Sequence, residues 1–426
     1  MQCSIFWFRR DLRLSDNTGL NLALNSGEKI LPIFIFDSEI LDELPIDDPR
    51  VNFIYDSLSE LNLKLKDVGS SIKCEIGSPL DVWNRLISEF DIKSVYTNKD
   101  YEPYALKRDS KVQVLLEKNN IQFIQTKDQV IFEEHEIVKN DGLPYTVFTP
   151  YKNKWLAHFH QHDFTPSKQV NLEQLIQIDN QFPSLQNIGF KQSKIKVKPY
   201  TYNYIANYEE QRDYPHLDAT SYLSPHLRFG TISVREAIEL NTSKNTTFLS
   251  ELIWREFFMQ ILYHFPRVIN SNFKKKYDGI KWRNDKDEFD KWCSGETGYP
   301  IVDAGMRQLN ETGYMHNRVR MITAGFLCKH LLIDWKWGEA YFAKKLLDYD
   351  LSANNGNWQW ASGTGCDSAP YFRIFNPTEQ IKKFDKQLGY INLWVKDLQE
   401  LTYPKPMVDH KYARERALTT YKNGLK

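Results

Sequence analysis

Two tryptophans, Trp358 and Trp360, sit in the stretch NNGNWQWASGTGCDSAPYFRIFNP, Asn354 to Pro377, beside Asn354, Asn355, Gly356 and Asn357. A core tryptophan has apolar neighbours at helical or strand spacing. This stretch follows neither period, so it reads as irregular chain carrying two flat rings, a seat for something flat and partly polar. A second group lies in SELIWREFF. Glu251, Trp254 and Arg255 fall at i, i+3 and i+4, so a carboxylate, an indole and a guanidinium share one helix face while Leu252, Ile253, Phe257 and Ile261 pack elsewhere. Taken alone, Glu251 and Arg255 also read as a surface ion pair. In NRVRM, Asn317, Arg320 and Met321 share a face and Arg318 lies on a neighbouring one. Between Asp303 and Lys329 the basic residues Arg307, Arg318, Arg320 and Lys329 face only Asp303 and Glu311, which is either a local anion-binding cluster or a solvated charged face. No nucleophile, metal cluster or catalytic dyad stands out in these motifs, so their chemistry is to hold and polarise a bound molecule.

The elements that must position these residues follow from the rest of the chain. Its 426 residues suffice for two or three domains with sizeable cores. Lys+Arg and Asp+Glu are equal at 55 each, so nucleic acid would be bound through a local cluster and not a global field. The five cysteines, Cys3, Cys74, Cys293, Cys328 and Cys366, are odd in number and lack a C-x-x-C pair, which points to a reducing cytoplasm and away from a zinc site. Charges at Arg9, Arg10 and Asp11 arrive too early for a signal peptide, and no segment has the apolar length of a membrane span. Residues 1–130 alternate the apolar runs CSIFWF, KILPIFIF, IKCEIG, KSVYTN and IQFIQ with helical periodicity, which predicts an α/β, doubly wound parallel-sheet domain. Residues 131–200, with Pro144, Pro150, Pro166 and Pro183, read as an interdomain linker, and residues 201–426 as an all-α domain with its strongest helices in TTFLSELIWREFFMQILYHF and NRVRMITAGFLCKHLLIDW.

Six ordered segments, FWFRRDLRLSDN, TSYLSPHLRFG, SELIWREFF, GYPIVDAGMRQLNETGYMHNRVRMITAGFL, LLIDWKWGEAYF and DYDLSANNGNWQWASGTGCDSAPYFRIFNP, resemble the photolyase/cryptochrome family, specifically its class I branch acting on cyclobutane pyrimidine dimers. The resemblance implies an antenna-binding α/β domain and a helical domain holding FAD, active in its reduced form. It implies flavin contacts from Tyr208, Thr220, Ser221, Leu223, Ser224, Asn317, Arg320, Asp348, Asp350 and Asn354. The hydroxyls and backbone N–H groups of TSYLS, ahead of a helix, suit a pyrophosphate, and a plain helix cap is compatible with that role. Trp254 and Trp360 would wall a cavity for a flipped pyrimidine dimer, with Trp358 beside the flavin. Glu251, Asn317, Met321 and Asn354 would act on the dimer and flavin, and Arg255, Arg318 and Arg373 on DNA phosphates. Trp358, Trp335 and Trp282 would form a wire that reduces oxidised FAD.

A second chromophore is also implied. Folate-binding members carry an Asn-Glu pair where this chain has Tyr104 and Ala105, whereas Phe36, Asp37, Arg50 and Asp100 resemble positions of the deazaflavin-binding subgroup, and a flavin in that place is a further alternative. The expected partner is UV-damaged DNA, met by a cytoplasmic monomer with no obligate protein partner. A signalling cryptochrome is the alternative, against which stand the short chain after FRIFNP and Asn354 at the position facing the flavin. A repair enzyme for (6-4) photoproducts is the other, and it would carry a histidine-bearing pocket where this sequence has HNRVRM.

Overall fold

A computed structural model of the chain describes residues 2–167, 170–241 and 245–425. Contacts between Cα atoms divide it into two compact units: Met1–Glu136, Leu156–Tyr200 and Tyr222–Thr242 form the first, and Ile137–Trp155, Thr201–Ser221 and Ser243–Lys426 the second.

All five apolar runs become strands: β1 Gln2–Phe8, β2 Ile30–Asp37, β3 Lys73–Gly77, β4 Asp91–Asn98 and β5 Gln122–Thr126. They form one sheet in the order β3-β2-β1-β4-β5, parallel throughout, with Ile5 beside Leu31 and Val95. Because side chains alternate across a strand, β1 divides its apolar residues between two cores. Phe6 and Phe8 pack with Leu20 and Leu24 of α1 (Thr18–Leu24) and Leu58, Leu61 and Leu65 of α2 (Pro49–Lys66). Ile5 and Trp7 pack with Val82, Trp83 and Leu86 of α3 (Pro79–Glu89) and Val112 and Leu116 of α4 (Pro103–Lys118). This is the doubly wound arrangement expected from the alternation of elements.

The segment 131–200 contains an ordered helix, α5 (Phe148–Phe159), and is shared between the two units. Its residues Tyr151 and Trp155 are almost fully buried, so apolar anchors accompany the prolines that suggested a connector. The second unit is helical. It includes α6 (Thr246–His264), α7 (Asn317–Gly325), which continues into a π-helical turn over Phe326–His330, α8 (Trp335–Lys345) and α9 (Leu351–Ser362). Trp292, Trp335 and Trp358 are buried in its largest core.

The irregular chain expected around Asn354–Trp360 is a helix. α9 starts where Asp350 accepts a hydrogen bond from Ala353 N at 3.1 Å and ends at Gly363, whose φ of 90° closes the last turn. Its buried face is rich in amides, which hides the helical period from a reading based on hydrophobicity. Asn355 Nδ2 and Gln359 Nε2 donate to the carbonyl of Val268 at 3.1 and 3.0 Å, so these buried groups are satisfied. Gly356 does not loosen the backbone. A Cβ there would meet the Phe258 ring of α6 at 2.1 Å, so the glycine allows α6 and α9 to approach closely.

Candidate functional site

On α6, Leu252, Ile253, Phe257 and Ile261 are buried as the spacing predicts, while Glu251, Trp254 and Arg255 remain partly exposed. The partner of Glu251 is not Arg255, the neighbour expected from sequence. Its Oε1 accepts from Arg212 Nη1, whose side chain is 30% exposed against 36% for Glu251. Arg212 lies four residues after Tyr208, and its guanidinium sits 5.7 Å from the centre of that ring, an arrangement that i,i+4 arithmetic on α6 alone does not reveal. The Tyr208 ring meets Phe248 of α6 edge to face at 5.5 Å.

α7 presents the second cluster. His316 caps it, accepting from Arg318 N through Nδ1 at 3.2 Å, and burial lowers the pKa of this imidazole to about 4. Asn317 then stands exposed at the first helical position. Arg320 Nη2 donates to Asp348 Oδ2 at 2.9 Å and its Nε to Met315 O at 2.7 Å. Arg318 is largely enclosed: Nη2 donates to Asp213 Oδ1 at 2.6 Å, Nη1 lies 3.9 Å from Met321 Sδ, and the guanidinium sits 4.3 Å from the Phe384 ring centre. Arg373 is exposed on the chain after α9.

α9 packs against both α7 and α8. Asp350 caps it, Trp360 is partly exposed, and Trp358 is buried with its ring 4.9 Å from Phe342 and 6.1 Å from Trp292. Asn354 Nδ2 donates to Glu339 Oε1 at 2.9 Å and to Glu339 O at 3.1 Å. Burial raises the pKa of that glutamate. The amide nitrogen of Asn354 is therefore engaged, and its carbonyl oxygen is the group left to meet a ligand. Trp335 shares the core of Trp358 and donates from Nε1 to Asn272 Oδ1 at 2.9 Å. Trp282 packs at the edge of that core, 5.9 Å from Tyr421.

Thr220 and Ser221 close the second unit's segment 201–221, with Ser221 O accepting from Thr201 N at 2.9 Å. Leu223 and Ser224 open the helix Leu223–Phe229 and belong to the first unit. Within the second unit, Arg320 and Asn317 on α7 offer donors, Asn354 on α9 offers its carbonyl oxygen, and Asp348 and Asp350 offer acceptors from the segment between α8 and α9. This set fits the alternating acceptors and N–H donors of a flavin ring.

In the first unit each of the four antenna candidates already has a partner within the unit. Phe36 is buried against Phe34, and Asp37 accepts from Tyr104 Oη at 2.6 Å and from Glu39 N at 3.0 Å. Arg50 Nε donates to Asp48 at 2.9 Å, and Asp100 accepts from Arg10 at 3.3 Å.

Sequence reasoning missed three residues of this region. Phe148 lies flat on Trp254, Glu256 is a buried carboxylate on α6, and Trp292 is the indole in ring contact with Trp358. Only Glu256 left a signal, as an acid within the apolar run of α6 that must find a partner.

Comparison with known proteins identifies the family. Residues 4–170 match the family model described as DNA photolyase, and residues 248–402 the model described as the FAD binding domain of DNA photolyase. A deoxyribodipyrimidine photo-lyase of Halobacterium salinarum is 36% identical over 477 aligned residues, covering 99% of each chain. Among solved structures, a class III photolyase from Agrobacterium tumefaciens superposes with a TM-score of 0.89 at 33% identity, covering 100% of this chain and 98% of the other. An archaeal photolyase from Sulfolobus tokodaii, whose structure holds two FAD molecules, gives 0.88 at 36% identity, covering 99% and 100%. The chain belongs to the photolyase/cryptochrome family. Its second unit contains the family's FAD-binding domain, and among the described residues no helix is long and apolar enough to cross a membrane.

Proposed function

We propose that this protein splits cyclobutane pyrimidine dimers in UV-damaged DNA, as a class I enzyme driven by light. FAD held in its reduced form would lend the dimer one electron on excitation and take it back after the two cyclobutane bonds that join the pyrimidines have broken, so no net redox change would result. The observation that carries the reading is α6, a helix whose surroundings are buried but which keeps a carboxylate, Glu251, and an indole, Trp254, partly exposed one turn apart. That pair suits a flat, polar, neutral guest. Trp254 and Trp360 grip the extruded pyrimidines, where aromatic contact returns roughly 1–3 kcal/mol per base against an unstacking cost of a few kcal/mol. That cost is lowest where pairing is already damaged, which favours the lesion over intact duplex.

Glu251 and Asn317 hydrogen-bond the dimer, Met321 fills the edge of its pocket, and Asn354 turns its carbonyl toward the flavin. Arg320, held by Asp348, places a positive charge that favours an anionic reduced ring. Tyr208, Thr220, Ser221, Leu223, Ser224 and Asp350 complete the flavin contacts, and Arg255 and exposed Arg373 meet phosphates. Arg318 has Asp213 as its partner, so a phosphate must compete for it. Trp358, Trp335 and Trp282 carry electrons inward when bound FAD is oxidised. Phe36, Asp37, Arg50 and Asp100 mark the place of an antenna chromophore, a deazaflavin or a second flavin. The protein acts as a cytoplasmic monomer.

Glu251→Ala tests the reading with fully reduced flavin and saturating oligonucleotide bearing a pyrimidine dimer. The repair yield per absorbed photon is expected to fall measurably, and Glu251→Gln to retain more of it. An unchanged yield in Glu251→Ala removes this residue from the site.

A further inference from the structure

Phe148 belongs to no element that the sequence singled out, yet it makes a close parallel ring contact in the second unit. Its ring lies on the Trp254 indole with centroids 3.6 Å apart and planes 9° from parallel. Phe257 closes the edge of the same indole at 5.6 Å and 80°, and Phe258 leans against it at 5.4 Å and 31°. Trp254 still keeps part of its surface exposed.

Phe148 is itself fixed from two directions. Its backbone N–H donates to Asp367 Oδ2 at 3.0 Å, which ties it to the chain seven residues beyond Trp360. One turn and two turns further along α5, Tyr151 Oη and Trp155 Nε1 donate to the same buried atom, Glu256 Oε1, at 3.2 and 2.7 Å. Glu256 is two residues after Trp254 on α6 and only 2% exposed. A buried carboxylate is costly unless hydrogen-bonded, and here its donors include two α5 side chains, which set the height and rotation of Phe148 above α6.

We propose that Phe148 is a positioning residue for recognition of the lesion: it holds the Trp254 indole in one plane, so that the remaining exposed surface of that ring is presented ready for the extruded pyrimidines. The inference rests on the function proposed above and deepens it. An aromatic already immobilised loses little rotamer freedom on binding, and the gain applies to the guest that stacks there, not to intact duplex lying along phosphate contacts.

The test measures affinity for an oligonucleotide carrying one cyclobutane dimer and for its undamaged counterpart, with bound FAD content recorded for each protein. Phe148→Leu is expected to weaken binding of the damaged strand about 5-fold, the cost of refreezing one loosened side chain, and to leave binding of the undamaged strand as it was. Phe148→Tyr, which keeps the flat ring, restores the ratio. In a Trp254→Ala background Phe148→Leu adds no further loss. An unchanged ratio, an equal loss on both strands, or an additive loss in that background overturns the proposal. If Phe148→Leu loses FAD and so reports misfolding, Phe148→Met decides in its place by the same ratio. Trp254→Ala alone separates the two readings: if it leaves the ratio intact, the site proposed above fails. If it lowers the ratio while Phe148→Leu does not, only the role of Phe148 fails.

Discussion

The two units handle their arginines differently. In the first, the guanidinium groups of Arg13 and Arg235 are enclosed in a shared network: Asp128, 1% exposed, accepts from Arg13 at 2.6 Å and Arg235 at 2.8 Å, and Arg235 also binds Asp16 at 2.8 Å. Arg9 reaches both oxygens of Asp109 at 2.6 Å. In the second, Arg212, Arg318 and Arg320 each lean on one carboxylate among the described residues, Glu251, Asp213 and Asp348, and keep 30, 16 and 28% of their side chains exposed. A network of buried charges fixes a fold, because removing one member strands the others. A single pair with both partners partly in water, as Arg212 and Glu251 are, is weak and can exchange its partner for a ligand. Similar residue types therefore build a scaffold in one unit and an adaptable site in the other.

The sharpest way to break this comparison is Asp128→Ala. Burial alone would raise this carboxyl, but Arg13 and Arg235 outweigh burial and hold it below its usual pKa. Its loss leaves two buried guanidinium groups short of their acceptor, so the first unit should lose about 3–5 kcal/mol, read as a shift of the denaturant midpoint. A change below about 1 kcal/mol would put the first unit's charges in the same class as the second's.

Next in size is an acid effect specific to the second unit. His316 has its imidazole lowered from 6.5 to about 4 by burial and caps α7 in the neutral form. Below pH 6.5 the unfolded chain binds a proton that the folded chain refuses, so this contribution to stability is complete above 6.5 and is lost as the pH falls toward 4, by up to roughly 3 kcal/mol. His316→Asn keeps a capping side chain without the titration. It should lessen the slope of the stability profile between pH 6.5 and 4, to which buried His330, lowered to about 3, also contributes, and an unaltered profile would show that the cap does not control acid sensitivity here.

Smaller again is Gly356→Ala. Its Cβ would press on the Phe258 ring, so α6 and α9 must separate, at about 1–3 kcal/mol by thermal unfolding. The same change would disturb the spacing of Trp254 and Trp360, on the two helices it separates.

The two units also differ in how far they could be read from sequence. The strands stand out as short apolar runs bounded by helical stretches, and in β1 and β2 burial on both faces makes those runs nearly continuous. α9 was not legible because Asn354, Asn355 and Gln359 occupy its buried face and are satisfied by tertiary partners such as Val268 O and Glu339, which no local pattern encodes. Glu251, Trp254, Asn317, Arg320 and Asn354 could each be singled out in the sequence as motif residues. Their partners Arg212, Asp213 and Phe148 were not, since each comes from a segment distant in sequence and without regular period.

The smallest expected effect on stability bears most directly on the comparison. Arg212 and Glu251 face each other with about a third of each side chain in water, so Arg212→Gln should change the unfolding free energy by less than about 1 kcal/mol. If the pair is an exchangeable site contact, releasing Glu251 from Arg212 alters what the carboxylate offers to a guest. Affinity for the damaged oligonucleotide should then move while thermal stability stays nearly constant, and the movement should shrink as salt rises, because a half-exposed charge pair is screened over about 10 Å at 0.1 M. A loss of several kcal/mol with affinity unaltered would show that this pair belongs with the locked networks of the first unit and that the second unit holds its site charges by the same means.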